Sequence, residues 1–212
     1  MRKKLLPFYL FSIIFFGAPL LFVSTYLIAA FKGHLPWCVP FLSKDVYITL
    51  TGMNPPESYL FRGGLIPIAT IISIVFYFLK KHLRLIGVSK IISWVIFALG
   101  LLSGIFLIIS TSLMQGEQTP VGIHVFFASS FFLLSIILEF VFLYEDVKHG
   151  KKEDHKSLEV RVILSVIVLV LLAFASFLHE IGYAWFEWIM TFCVICWYGT
   201  FLLNKDVVYE DV

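Results

Sequence analysis

The chain predicts an all-α fold: a polytopic membrane protein, residues 1–212 as a single domain, forming a six-helix transmembrane bundle with a long lumenal loop between its first two helices. Three observations carry this. Of 212 residues, 60% are hydrophobic, only 14% are charged, and Phe alone occurs 23 times, a balance well beyond that of soluble domains. Six apolar runs reach or approach the roughly 20 residues that cross about 30 Å of hydrocarbon at ~1.5 Å per residue. Lysine and arginine fall almost wholly on alternate connectors, which is how a polytopic chain is oriented.

The spans are expected at about 5–31, 60–79, 91–113, 120–144, 161–178 and 181–203. The first follows Arg2, Lys3 and Lys4 and ends at Ala29 and Ala30, features shared with a signal peptide. Its length far exceeds the ~7 to 15 residues of a signal's apolar region, and five more runs follow, so it reads as a helix. The second apolar run, Gly63 to Leu79, is short, so its helix is expected to begin within Ser58 to Arg62, with Pro67 near the first turns. Gly100 and Gly104 form a GxxxG in the third span, which permits close helix approach within the bundle or across a dimer.

Arg2, Lys3, Lys4, Lys80, Lys81, Arg84, Lys90, Lys148, Lys151, Lys152, Lys156, Arg161 and Lys205 fall on one side, against Lys32, Lys44 and Arg62 on the other. This predicts cytoplasmic termini and cytoplasmic connectors at 80–90 and 145–160, with the polar stretch from Trp37 to Gly64 and the turns at 114–119 and 178–181 facing the lumen. The basic residues obey this bias, so no nucleic-acid partner is expected; the lysine-rich 148–156 segment reads as a solvated connector first and an anionic-lipid contact second. Three cysteines make no disulfide framework, and Cys193 and Cys196, a CxxC inside an apolar span, read as packing.

Ionisable residues at membrane depth are costly and need a reason. Glu139 lies nineteen residues past Pro120, about 28 Å along the helix, and reads as an interfacial anchor. Glu187 lies roughly 9 Å into the bilayer from the lumenal side and needs a partner or a proton. His124 lies about 6 Å in, His179 ends the fifth span and Arg62 opens the second. The candidate lumenal ligand pocket is therefore Arg62, His124, His179 and Glu187, roofed by Asp45, Glu57 and Glu180. Taken singly, a span-end arginine or histidine is more often a snorkelling anchor. His with Glu suits proton transfer. No nucleophile motif accompanies them and the histidine spacing is not that of a metal site, so a binding role is expected over catalysis, with no metal and no cofactor. YEDV at Tyr144 to Val147 and again at Tyr209 to Val212 has the form of a tyrosine-based sorting signal; Tyr144 is more simply an interfacial aromatic.

The loop PFLSKDVYITLTGMNPPESYLFRGGLI resembles the first lumenal loop, Pro-Phe-Ile-Ser then Gly-x-x-Pro-Pro-Glu, of the six-span family containing the damage-regulated autophagy modulators (DRAM), the yeast Sfk proteins and the Frag-type GPI-anchor remodelling proteins. GLLSGIFLIISTSLMQGEQTPVGIHVFFASSFFLLS resembles that family's third span, short turn and fourth span with an early histidine, here His124. HEIGYAWFEWIMTF, with His179, Glu187 and Trp188, resembles the histidine before the last span and its Glu-Trp or Glu-Tyr pair. Many members read His-Asn where this chain has His179 and Glu180. The resemblance implies six spans and an address in the endomembrane system, lysosome or endosome or Golgi, or at the plasma membrane. It implies binding or organising a membrane lipid or partner, as in autophagy modulation; the alternative is a GPI-lipid remodelling step in which His124, His179 and Glu187 handle protons. The Glu-Trp pair brings Trp188 into the candidate pocket. A channel or transporter fits less well, because the spans carry few polar residues at mid-depth.

Overall fold

The computed structural model describes residues 3–4, 6–114, 121–149, 155–175, 184–204, 207 and 209–210. Apolar runs in lipid must pair every backbone polar group internally, which leaves the helix as the available form. The first run is α1 (Leu6–Ser12), a π-helical turn (Ile13–Gly17) and α2 (Ala18–Phe31). The π turn lies just ahead of Pro19, which has no N–H to offer the carbonyl of Phe15, so the helix widens there. Short 3₁₀ turns follow at Pro40–Leu42 and Thr49–Gly52.

α3 (Glu57–Leu85) outruns its apolar segment at both ends. Glu57 sits in the first turn and His82 and Arg84 in the last, each matching the sign of the helix dipole. Lys80 extends along the helix surface to place its ammonium 3.8 Å from the ring centre of Trp94 and 4.8 Å from those of Tyr77 and Phe97, so a charged residue remains compatible with the span. Pro67 lies in the third turn, deeper than expected, and leaves the Gly63 carbonyl without its helical donor. Gly87, at φ +96°, turns the chain, and the Ser89 hydroxyl accepts the Ile92 N–H to start α4 (Lys90–Ser112).

α5 (Val121–His149), α6 (His155–Ala175) and α7 (Ala184–Thr200), the last extended by a 3₁₀ turn at Phe201–Leu203, complete the helices. Among the described residues five helices are long and apolar enough to cross a membrane: Leu6–Phe31, Glu57–Leu85, Lys90–Ser112, Gly122–His149 and Ala184–Leu203. The expected 161–178 span falls partly in α6 and partly outside the described residues, as do the turns at 115–119 and 178–181. At the chain ends, β1 (Lys3–Lys4) pairs with β2 (Tyr209–Glu210) in a two-residue antiparallel ladder. Tyr209 of the suggested sorting signal is thus in register with Lys4, while Val212 lies outside the described residues.

The packing agrees with one of the two readings of the GxxxG and corrects the reading of Glu139. A Cβ on Gly100 would strike the ring of Phe76, and one on Gly104 would lie 2.8 Å from the Ala69 carbonyl oxygen. The glycine face offered for a dimer is therefore covered by α3 of the same chain. Glu139 is 1% exposed and neither carboxylate oxygen has a hydrogen-bond partner, so it faces the bundle interior rather than anchoring at the surface. Arg161, expected at the border, is fully buried at the end opposite the 32–56 loop. It bonds to Asp146, donates from Nε to Thr200 Oγ1 at 2.8 Å and lies 4.0 Å over the Phe201 ring, joining α5, α6 and α7. Tyr144 is exposed with the Lys148 ammonium over its ring, as an interfacial aromatic would be. Cys193 and Cys196 are free thiols packed in α7.

The α3–α4 contact predicts that Gly104→Ala lowers stability by about 1–3 kcal/mol, because the clash is with backbone. Gly63→Ala, where nothing lies within 4 Å, is expected to leave it unchanged or raise it by up to about 1 kcal/mol, since Ala favours the helix. Unfolding in mixed micelles of sodium dodecyl sulfate and dodecyl maltoside measures both.

Candidate functional site

The segment between α2 and α3 is too polar in its backbone to rest on apolar helices unless its N–H and C=O groups are paired. Side chains of the first span do part of this. The Tyr26 hydroxyl accepts the Cys38 N–H at 2.8 Å and donates to the Cys38 carbonyl at 2.6 Å. Thr25 Oγ1 meets Thr51 Oγ1 at 3.0 Å, and Thr51 Oγ1 donates to the Ile48 carbonyl at 2.7 Å. Gly52 lies against Phe61 where no Cβ fits.

α7 does the rest through two consecutive residues. Trp188 Nε1–H donates to the Val46 carbonyl at 2.8 Å, its ring stacked on Phe192 and edge-on to Phe22. Glu187 Oε2 accepts the Ile48 N–H at 3.1 Å, and the Thr49 N–H also lies on this carboxylate. The carboxyl group thus caps the Thr49–Gly52 turn, a site where backbone donors would otherwise be orphaned. Val46 and Ile48 are buried as a result.

Beneath this roof lies a narrow cavity of about 70 Å³. Phe61, Leu65, Ile68, Ile72, Leu107 and Tyr198 line its shaft, and its polar groups, Thr49, Ser110, Thr111, His124, Glu187 and Thr191, lie towards the loop end. From Glu187 to Tyr198 is eleven residues of helix, about 16 Å, or roughly half of a ~30 Å hydrocarbon core. Thr49, His124, Ala128, Phe132 and Glu187 also line a second space, an open cleft between α5 and α7 walled by Ser129, Leu133, Phe186 and Met190. The interior shaft and this lateral cleft therefore meet at His124 and Glu187.

His124 Nδ1 is 2.9 Å from the Ser110 carbonyl oxygen and 3.2 Å from Ser110 Oγ. A carbonyl only accepts, so Nδ1 carries the proton and Nε2 of the neutral ring is an acceptor. Of the expected pocket residues, His124 and Glu187 come together on the cavity, with Trp188 one residue on but turned to the loop. Arg62 instead donates to the Met114 carbonyl and joins α3 to the end of α4. Glu57, fully buried, pairs through Oε1 with His34 Nδ1 at 2.6 Å. Asp45 is exposed and roofs nothing. His179 and Glu180 lie outside the described residues.

Thr25, Tyr26, His34, Thr49 and Ser110 were not singled out from sequence. Adjacent polar residues within the first span, Thr25 and Tyr26, were the available signal. Among the described residues no group of three or more His, Cys, Asp or Glu could hold a metal ion. The rim carries groups that can accept or donate hydrogen bonds, above an apolar shaft.

Loosening either half of the α7 latch should be visible in hydrogen exchange of the loop. Trp188→Phe removes one neutral bond and is expected to speed exchange around Ile48 and Thr49 about 2- to 10-fold. Glu187→Ala removes the acceptor and should speed it about 10- to 100-fold. The Cys38 amide, held by Tyr26, should not change in either variant.

The family model described as Frag1/DRAM/Sfk1/Cwh43P N-terminal domain matches residues 7–204. No curated protein matches the chain. No solved structure matches it. The matched stretch runs from the first span through the loop to the end of α7, so the chain belongs to the Frag1/DRAM/Sfk1/Cwh43P N-terminal domain family.

Proposed function

We propose that this protein is a six-span lipid-binding member of its family, one domain over residues 1–212, whose interior cavity receives an acyl chain of a membrane lipid. Its polar rim meets the lipid's interfacial region at His124, Glu187, Thr49 and Ser110. The observation that carries this is the cavity's polarity gradient: an apolar shaft about one leaflet deep, polar at the loop end and open sideways between α5 and α7. A lipid lying in a bilayer has the same gradient over the same length.

In this reading the loop faces the lumen and both termini the cytoplasm, in line with Lys80, Lys81, Arg84, Lys90 and Lys148 lying at the helix ends away from the loop. The protein works in the endomembrane system, by binding or presenting lipid rather than by chemistry of its own; autophagic or lysosomal regulation is one use of that capacity. A GPI-lipid remodelling step is the second reading. It is favoured by one observation, His124 and Glu187 lining the same cavity, a pair of residue types able to pass a proton.

The test is photolabelling of the chain in nanodiscs by a phospholipid bearing a photoactivatable group near its acyl terminus. Leu107→Trp, which narrows the shaft, should cut labelling at least ~10-fold while costing no more than the ~1–3 kcal/mol of an overpacked core. Unchanged labelling in that variant contradicts lipid binding in the cavity. Cells lacking the protein that release unremodelled GPI-anchored proteins would favour the second reading over the first.

A further inference from the structure

Resting on the six-span reading but not on what the cavity holds, we propose that residues 36–42, in the loop between α2 and α3, are an interfacial anchor. Trp37, Val39, Phe41 and Leu42 insert into the lipid leaflet on the loop side of the membrane, and the partner is the bilayer surface itself. Three observations converge on this.

The segment is apolar and turned outward. PWCVPFL at 36–42 contains no charged, hydroxyl or amide side chain. Trp37 is 66% exposed and Leu42 76%, with Val39 and Phe41 exposed between them. A few residues on, the same loop buries Val46 and Ile48 against the bundle, so its apolar residues divide between two faces. The outward face is a contiguous apolar patch, which in water would be a liability and at a membrane interface is a contact surface.

The segment lies at bilayer level. The Pro40–Leu42 turn packs on α7, and Phe41 borders a groove walled by Leu164 and Ile167 of α6 and by Trp188, Phe192 and Cys193 of α7. Trp188 and Cys193 follow Ala184, the start of α7, by about 6 and 14 Å of helix. Ile163, Val166 and Ile167 of α6, which the six-span reading turns to lipid, are exposed beside this groove. Phe41 therefore continues the lipid-facing surface of α6 and α7 instead of standing above it.

The backbone suits such a position. Polar backbone groups that meet hydrocarbon need partners within the protein. Pro36 and Pro40 bring no N–H. The Cys38 N–H and C=O both bond to the Tyr26 hydroxyl, which also lies 3.0 Å from the Pro36 carbonyl oxygen. The Leu42 N–H donates to the Val39 carbonyl at 2.9 Å and the Ser43 N–H to the Pro40 carbonyl at 3.1 Å. Charges bracket the stretch without interrupting it: Lys32 precedes it and Lys44 and Asp45 follow, all exposed, at a level where ammonium groups reach headgroup phosphates. The roof of the cavity is thus held twice, residues 46–49 by α7 and residues 36–42 by the leaflet.

The test places nitroxide labels on the full chain in phosphatidylcholine nanodiscs, after Cys38→Ser, Cys193→Ala and Cys196→Ala. Collisions with oxygen, which concentrates in the bilayer, are compared with collisions with a nickel chelate, which stays in water. A label at Leu42→Cys is expected to give an oxygen-to-nickel ratio several-fold above that at Asp45→Cys and close to that at Leu20→Cys, on the outer face of the first span. Adding Phe41→Asp should lower the ratio at residue 42 towards the value at residue 45, because a carboxylate is costly in the leaflet. A ratio at residue 42 equal to that at residue 45, with residue 20 lipid-like, overturns the anchor while the spans stand. A label at residue 42 screened from both reagents reveals a protein contact, such as a second copy, and overturns it as well. The unmodified chain gives an independent reading through Cys38, the exposed one of its three free thiols. Cys38 should react faster with an alkyl maleimide than with a sulfonated one, and equal rates contradict the anchor.

Discussion

The structure around the cavity depends on one constraint: the backbone of residues 46–49 is buried over a membrane bundle and its polar groups must find partners there. Glu187 and Trp188 supply them, one accepting the N–H groups of Ile48 and Thr49, the other donating to the Val46 carbonyl. Consecutive helical residues point about 100° apart, so the pair reaches an N–H and a C=O on the same short stretch while Trp188 remains packed between Phe22 and Phe192. Without those partners the loop would leave several orphaned groups, each costing about 1–3 kcal/mol. The cavity would then lose its roof.

The two ends of the bundle handle polarity differently. At the loop end, polar side chains pair mainly with backbone, as Tyr26, Glu187, Trp188 and Arg62 do, and His124 and Glu187 line a cavity. At the other end, charge pairs with charge: Arg161 is buried among Asp146, Thr200 and the Phe201 ring, and His82 Nε2 lies 3.5 Å from Asp146. Such a cluster ties α3, α5, α6 and α7 together, and breaking a buried pair costs more than making it gains. A bundle fastened by charge at one end and latched by a loop at the other can leave space between them. The division is consistent with a protein that holds a ligand near one leaflet only.

Much of the fold was legible because span length and hydropathy are set by the bilayer itself. α1 with α2, α4 and α7 fall within a few residues of their expected limits, whereas α3 and α5 run on into polar residues whose side chains snorkel, as Lys80 does over Tyr77, Trp94 and Phe97. The site was legible in part. His124 and Glu187 stand out as polar groups at depth, and they do share a cavity. Arg62 and Glu57 stand out equally, yet their partners are a carbonyl of Met114 and the ring of His34, which follow from helix rotation and loop path rather than from spacing. Glu139 misled for the same reason: its depth can be counted along the helix, but the face it occupies cannot. Gly100 and Gly104 carry the spacing of a close helix contact without saying whose helix.

Native mass spectrometry of the full chain released from nanodiscs tests the central claim most directly. The account predicts one lipid per chain that survives detergent release. A chain that flies bare, or one that carries a random sample of the surrounding phospholipids, would contradict it.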